Sequence, residues 1–163
     1  GEILVKGENV MLGYWNNDDA TQNVLKNGWL YTGDIGYFSD GYLKITDRKK
    51  DIIITPGGDN ISPIKIENEI TNSGKIEQAV VYGDNKPYLS ALLVLNENTS
   101  FSKDEIQKEI DKINKNLSKI ENIKKFFVST EKFTIENGML TPTLKLKRYK
   151  IIKKYLNVFE KFY

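Results

Sequence analysis

Apolar and polar positions change their period along the chain, and each change marks an element. "GEILVKG" alternates, "NGWLYTGDIGYF" is dense in aromatics and glycines, and "SDGYLKIT" is a turn followed by an alternating strand. Residues 1–46 therefore read as β-structure with turns. "DIIIT", Asp51 to Thr55, reads as a strand returning beside "YLKIT", and "PGGDN" then breaks it. Ser62 before Pro63 is a helix start: a hydroxyl to cap the first turn, then a proline where no backbone N–H is needed. That helix should run to about Thr71 and end near Gly74. "EQAVVYGDNKPYLSALLVL" predicts two strands joined at "GDNKP". Ser102 and Glu105 have the spacing of a capping box. Behind them Ile106, Ile110, Ile113, Leu117 and Ile120 fall at steps of four and three, one apolar stripe of a helix. "KFFVS" reads as another strand. Ile152, Tyr155, Leu156 and Phe159 mark a final helix whose other face is rich in lysine.

From Asp47 on, this order predicts an α+β layer, helices packed on a short sheet. Composition agrees and removes much chemistry. A hydrophobic fraction of 39% in 163 residues can bury a core, while the longest apolar runs, "DIIIT" and "SALLVL", are far too short to span a bilayer. Cysteine and histidine are both absent, which removes disulfides, thiolate catalysis, Ser-His chemistry and histidine-bound zinc. Net charge is only +2, so no global field draws nucleic acid, although "KLKRYKIIKKYLNVFEKFY" is strongly basic. The chain opens at Gly1 in mid-pattern, and we read it as a piece of a longer protein.

Four stretches could carry chemistry. In "YTGDIG", Asp34 follows Thr-Gly at a turn, where a carboxylate can accept two hydrogen bonds from a ribose diol; Gly-Asp is also ordinary turn chemistry. "DRKKD", Asp47 to Asp51, is a charge cluster that would ordinarily be a solvated tip, and no interleaved aromatics favour nucleic acid. "TPGGDN" lacks the Gly-Lys-Ser/Thr ending of a phosphate loop, and Asp59 would repel phosphate. Its glycines suit a tight turn and the close passage of a ligand. In "LTPTLKLKR", Pro142 and two threonines form a rigid lead-in to Lys145: a basic surface stretch, or an ammonium held out toward a phosphate.

Taken in order, "GEILVKGENVMLGYW", "GWLYTGDIG", "GYLKITDRKKDIIITPGGDNISPIKIEN" and "LTPTLKLKR" resemble the successive C-terminal motifs of the AMP-forming acyl-CoA synthetases. The wider superfamily includes firefly luciferase and peptide-synthetase adenylation domains. The resemblance covers nearly the whole chain, and "DRKKDIIITPGGDNISP" with "LTPTLKLKR" is most like the long-chain fatty acid branch. It implies residues 1–46 as the β-rich end of a large N-terminal domain, a hairpin or barrel-like remnant, and residues 47–163 as a C-terminal lid domain.

The implied reaction has two steps. ATP and a fatty acid give acyl-adenylate and pyrophosphate; the thiol of CoA then displaces AMP. The lid rotates between them. By position, Asp34 would bind the ribose hydroxyls, Arg48 would assist on the same sugar, and Lys50 would be the hinge. Lys145 would be the adenylation lysine, Gly57 and Gly58 would line the CoA-side loop, and Glu67 would be structural. The implied cofactors are ATP, CoA and Mg2+, with the metal's ligands, the phosphate-grasping loop and the acyl pocket all outside this chain. No metal site is expected within it, and alone it should catalyse no adenylation. The resemblance implies a cytoplasmic enzyme, and the basic last helix is compatible with peripheral membrane association. Two positions depart from many relatives: Ile54 replaces a lysine, and Leu144 replaces the glycine before the adenylation lysine. Both fit the long-chain branch better than luciferase-like members. The alternatives are a ligase for another acid or a carrier-protein thiol, and a non-catalytic basic module binding an anionic membrane or nucleic acid.

Overall fold

The computed structural model describes residues 1–96 and 101–163. The chain divides into two compact units, Gly1–Asp51 and Ile52–Tyr163. In the first, strands β1 (Glu2–Val5), β2 (Leu25–Lys26), β3 (Trp29–Ser39) and β4 (Tyr42–Arg48) form one sheet in which β3 pairs with all three others. Every pairing is antiparallel, and the sheet is open; it does not close into a barrel. The turn between β3 and β4 places Asp40 and Gly41 at φ 53° and 80°, the paired left-handed residues that match a hairpin's twist. A short helix α1 (Asp18–Val24) interrupts the stretch expected to be all β. Asn17 caps it by accepting from the Ala20 N–H, and Asp18 and Asp19 favour its positive end. It buries no residue, so it leaves no apolar stripe to read.

The second unit carries the core. Strands β7 (Ile76–Tyr82), β8 (Leu89–Leu95) and β9 (Ile123–Val128) form a mixed sheet, β7 antiparallel and β9 parallel to the central β8. Helices α2 (Pro63–Thr71) and α3 (Lys103–Asn114) cover one face, over Ala79, Val81, Leu89, Ala91 and Leu93. Helix α4 (Arg148–Glu160) and the segment around Phe133 and Met139 cover the other, over Val80, Leu92 and Val94. That double burial explains the unbroken run "SALLVL": a strand buried on both faces has no polar alternate. Ser62 caps α2 through the Lys65 N–H with Pro63 in the first turn, and Gly74 follows its end at φ 74°.

Three expectations are corrected. The strand at "DIIIT" does not return beside "YLKIT". Instead β5 (Ile53–Ile54) pairs with β6 (Asn60–Ile61), folding over the glycine loop. A turn in which the Asp51 N–H donates to the Arg48 carbonyl separates the strand from β4. Ile54 is held within its own unit, its N–H to Asp84 and its carbonyl to the Asn85 N–H. The stripe of α3 ends at Asn114, short of Leu117 and Ile120. The Asn114 amide brackets Ile123, donating to its carbonyl and accepting from its N–H, both at 2.9 Å. Leu117 still packs on the core from the turn beyond, but Ile120 is exposed. In α4 the fully buried residues are Ile151 and Phe159, while Leu156 faces outward.

Candidate active site

In the first unit, Asp34 and Arg48 are direct partners across β3 and β4. Arg48 Nε lies 2.9 Å from Asp34 Oδ1, and both side chains reach solvent. The backbone around Asp34 is held from three directions. Its N–H donates to Thr32 Oγ1, whose hydroxyl donates to the Ile3 carbonyl. Gly33, at φ 72°, gives its N–H to Glu2 and takes the Lys49 N–H at 2.7 Å. A carboxylate beside a guanidinium, fixed by cross-strand pairing, offers acceptors and donors that adjacent sugar hydroxyls can bridge. Lys49 is committed elsewhere: its ammonium bonds Glu2 at 2.9 Å and is the main cause holding the Glu2 carboxyl below its ordinary range. Lys50 is exposed, without such a partner among the described residues, in the turn just before the first unit ends at Asp51.

The second unit holds two loops of one design. In the first, the Thr55 N–H donates to the Asp59 carbonyl at 3.0 Å and the Gly58 N–H to the Thr55 carbonyl at 2.9 Å. The Asp59 N–H donates to Thr55 Oγ1 at 3.0 Å. In the second, the Thr141 N–H donates to the Lys145 carbonyl at 2.8 Å and the Leu144 N–H to the Thr141 carbonyl at 2.9 Å. The Lys145 N–H donates to Thr141 Oγ1 at 3.0 Å. Both are hairpin loops with proline after the threonine and a left-handed fourth residue, Gly58 at φ 86° and Leu144 at φ 58°. Leucine at such a φ costs about 1–2 kcal/mol that glycine avoids.

The loops differ in what they present. Asp59 turns back to accept the Thr55 hydroxyl at 3.0 Å, so its charge is engaged within the loop. A side chain at Gly57 would meet only ordinary contacts, and one at Gly58 nothing within 4 Å. The bareness of Gly57 is therefore not demanded by its own surroundings. Lys145 is exposed, and among the described residues no carboxylate pairs with it. Its backbone is fixed and its ammonium is available.

Three residues beyond Lys145, Arg148 opens α4 and anchors it. Its guanidinium reaches Glu67 Oε2 at 2.6 Å and the Val81 carbonyl at 3.2 Å. Glu67 accepts the Val81 N–H at 2.7 Å with its other oxygen. One buried ion pair thus ties α2, β7 and the root of the Lys145 loop. This supports a structural role for Glu67 and adds Arg148, which sequence reasoning passed over as one more base in a basic run. The repeated Thr-Pro of "ITPGGD" and "LTPTLK" was the visible sign of the paired loops.

Among the described residues no three acidic groups gather to hold a metal ion, and no helix is long and apolar enough to cross a membrane. Residues 50–163 match the family of AMP-binding enzyme C-terminal domains. A long-chain-fatty-acid–CoA ligase of Mycobacterium tuberculosis is 37% identical over 100% of this chain and 31% of its own length. Long-chain-fatty-acid–CoA ligase 5 of Mus musculus is 39% identical over 100% of this chain and 28% of its own. The chain thus spans under a third of either relative. Among solved structures, the adenylation domain of a carboxylate reductase from Mycobacterium chelonae superposes with TM-score 0.90 at 29% identity, covering 100% of this chain and 27% of that one. An O-succinylbenzoate coenzyme A synthetase of Bacillus subtilis, in complex with AMP, does so with TM-score 0.73 at 35% identity over 92% of this chain and 29% of that one.

Proposed function

The chain belongs to the AMP-binding enzyme C-terminal domain family of adenylate-forming ligases, and from that premise we propose that it is the lid end of an AMP-forming long-chain fatty acid–CoA ligase. The observation that carries the reading is the Lys145 loop, a rigid hairpin that pins the lysine backbone while no carboxylate pairs with the exposed ammonium among the described residues. In-line attack of a carboxylate on the α-phosphate spreads negative charge over its oxygens. An ammonium placed beforehand stabilises that charge without reorganising solvent.

In this reading Asp34 and Arg48 hold the ribose, and Lys50 is the joint about which the lid turns between steps. The loop at Gly57 and Gly58 admits the thiol-bearing arm of CoA, which a side chain at Gly57 would obstruct. ATP would supply the adenylyl group. Mg2+ would be held by residues in the N-terminal part of the protein, as would the fatty acid. Lys145→Ala in the full-length protein should lower pyrophosphate exchange by about 100- to 1000-fold. Thioester formation from supplied acyl-adenylate should be little changed. Equal loss of both steps would overturn the assignment of separate roles to the two loops.

A second reading has its own support: the carboxylate reductase adenylation domain superposes at TM-score 0.90. A carrier-protein thiol would then replace CoA. Identities of 37% and 39% to CoA ligases along the whole chain favour CoA. Offering both thiols to one acyl-adenylate preparation separates the two readings.

A further inference from the structure

We propose that Leu144 is a positioning residue for the adenylation step. Its side chain seats against the wall of the adenylate site, formed by the part of the protein N-terminal to this chain, and so holds Lys145 at the phosphate. This rests on the reading of Lys145 given above. Leu144 is a non-glycine residue in the left-handed region, φ 58°, and it is 70% exposed. Backbone strain persists where some interaction maintains it. Here the hairpin's own hydrogen bonds hold the φ, while the Leu144 side chain belongs to neither core cluster and so gains nothing there to offset the strain. The sister loop shows that the hairpin itself asks for no side chain there, since Gly58 fills the same place with the same hydrogen bonds.

The neighbours narrow what Leu144 can do. Thr141 Oγ1 fixes the Lys145 N–H, and the Thr143 hydroxyl lies 3.0 Å from Thr141 Oγ1. Consecutive Cα atoms lie about 3.8 Å apart, so wherever Lys145 is delivered Leu144 arrives with it. An apolar group beside an ammonium that must meet phosphate also excludes water, which strengthens that encounter. The relatives are more than three times the length of this chain, so most of the protein that could form the opposing wall lies outside the segment described.

The test uses the full-length protein, with pyrophosphate exchange and thioester formation from supplied acyl-adenylate measured separately. Leu144→Gly should melt no lower than the parent, because glycine suits the φ, yet lose about tenfold or more in exchange through misplacement of Lys145. Thioester formation should stay near the parental rate, and Leu144→Met, which keeps an apolar chain, should recover most of the exchange. Should Leu144→Gly fold poorly, Leu144→Asn, also tolerant of this φ, is judged by the same criteria. Parental exchange in the glycine or asparagine variant, or equal loss of both steps, would overturn the proposal. If Lys145→Ala keeps its exchange activity, it is instead the underlying reading that fails.

Discussion

Glu67 and Arg148 retain only 8% and 13% side-chain exposure, so neither charge has water to fall back on. Each is satisfied by the other and by the Val81 peptide. Removing Glu67 leaves the Arg148 guanidinium without its carboxylate, a loss on the order of 3–5 kcal/mol. Glu67→Ala should therefore lower the melting temperature sharply. Replacing both residues by apolar ones of similar volume should cost less than the single change, because no charge is then left buried alone. A double-mutant cycle read by denaturant unfolding checks this. The same anchor makes a kinetic prediction. On the role proposed for Lys145, Glu67→Gln in the full-length protein should slow adenylation more than thioester formation, because Arg148 roots the loop three residues after Lys145. A purely stabilising ion pair would leave their ratio unchanged.

At the scale of elements, the last turn of α4 is latched to the β7–β8 hairpin by charge and aromatic contacts together. The Tyr82 hydroxyl donates to Glu160 at 2.8 Å, and Lys86 pairs with the other Glu160 oxygen at 2.8 Å. The Tyr82 ring stacks on Phe159. Burial first, then the hydrogen bond to Glu160, push Tyr82 from its ordinary 10.0 up to about 12. Because the folded-state value is the higher one, this stabilisation is complete below pH 10 and is lost as pH rises from there through about 12. The stability gap between the parent and Tyr82→Phe should therefore shrink over that window. Paired melts of the two proteins across that window measure it.

Elements such as this show which parts of the sequence were legible. Caps and turns at Ser62, Ser102 and Gly74 were readable because their chemistry is local. The stop of α3 at Asn114 was not, because it depends on a side chain reaching Ile123, nine residues on. The pairing of Ile53–Ile54 was hidden for a similar reason: Asp84, thirty residues away, holds Ile54. Motif order made Asp34, Arg48 and Lys145 candidates, and the structure adds that Asp34 and Arg48 are cross-strand partners. That Leu144 is strained could be known only from its φ.

At the scale of the whole molecule, the two units differ in what they bury. Both apolar clusters lie entirely within the second unit, and they close the sheet from its two sides. The first unit buries only Gly36 and Asp47. It leaves Leu12, Trp15, Phe38, Tyr42 and Ile45 more than half exposed. A small isolated sheet with solvent on its apolar side chains gains too little from burial to offset the entropy of ordering its backbone. Residues 52–163 produced alone should therefore unfold in one cooperative transition. Residues 1–51 alone should show no cooperative melt and should associate through their exposed aromatics. Calorimetry of the two pieces decides the matter, and a cooperative transition in residues 1–51 would contradict this account. The same contrast bears on Lys50. On the proposed reading Lys50 lies at the junction between a unit that keeps its own core and one that does not. Limited proteolysis of the full-length protein should accordingly cut first after Lys49 or Lys50, releasing a C-terminal fragment that keeps its melt.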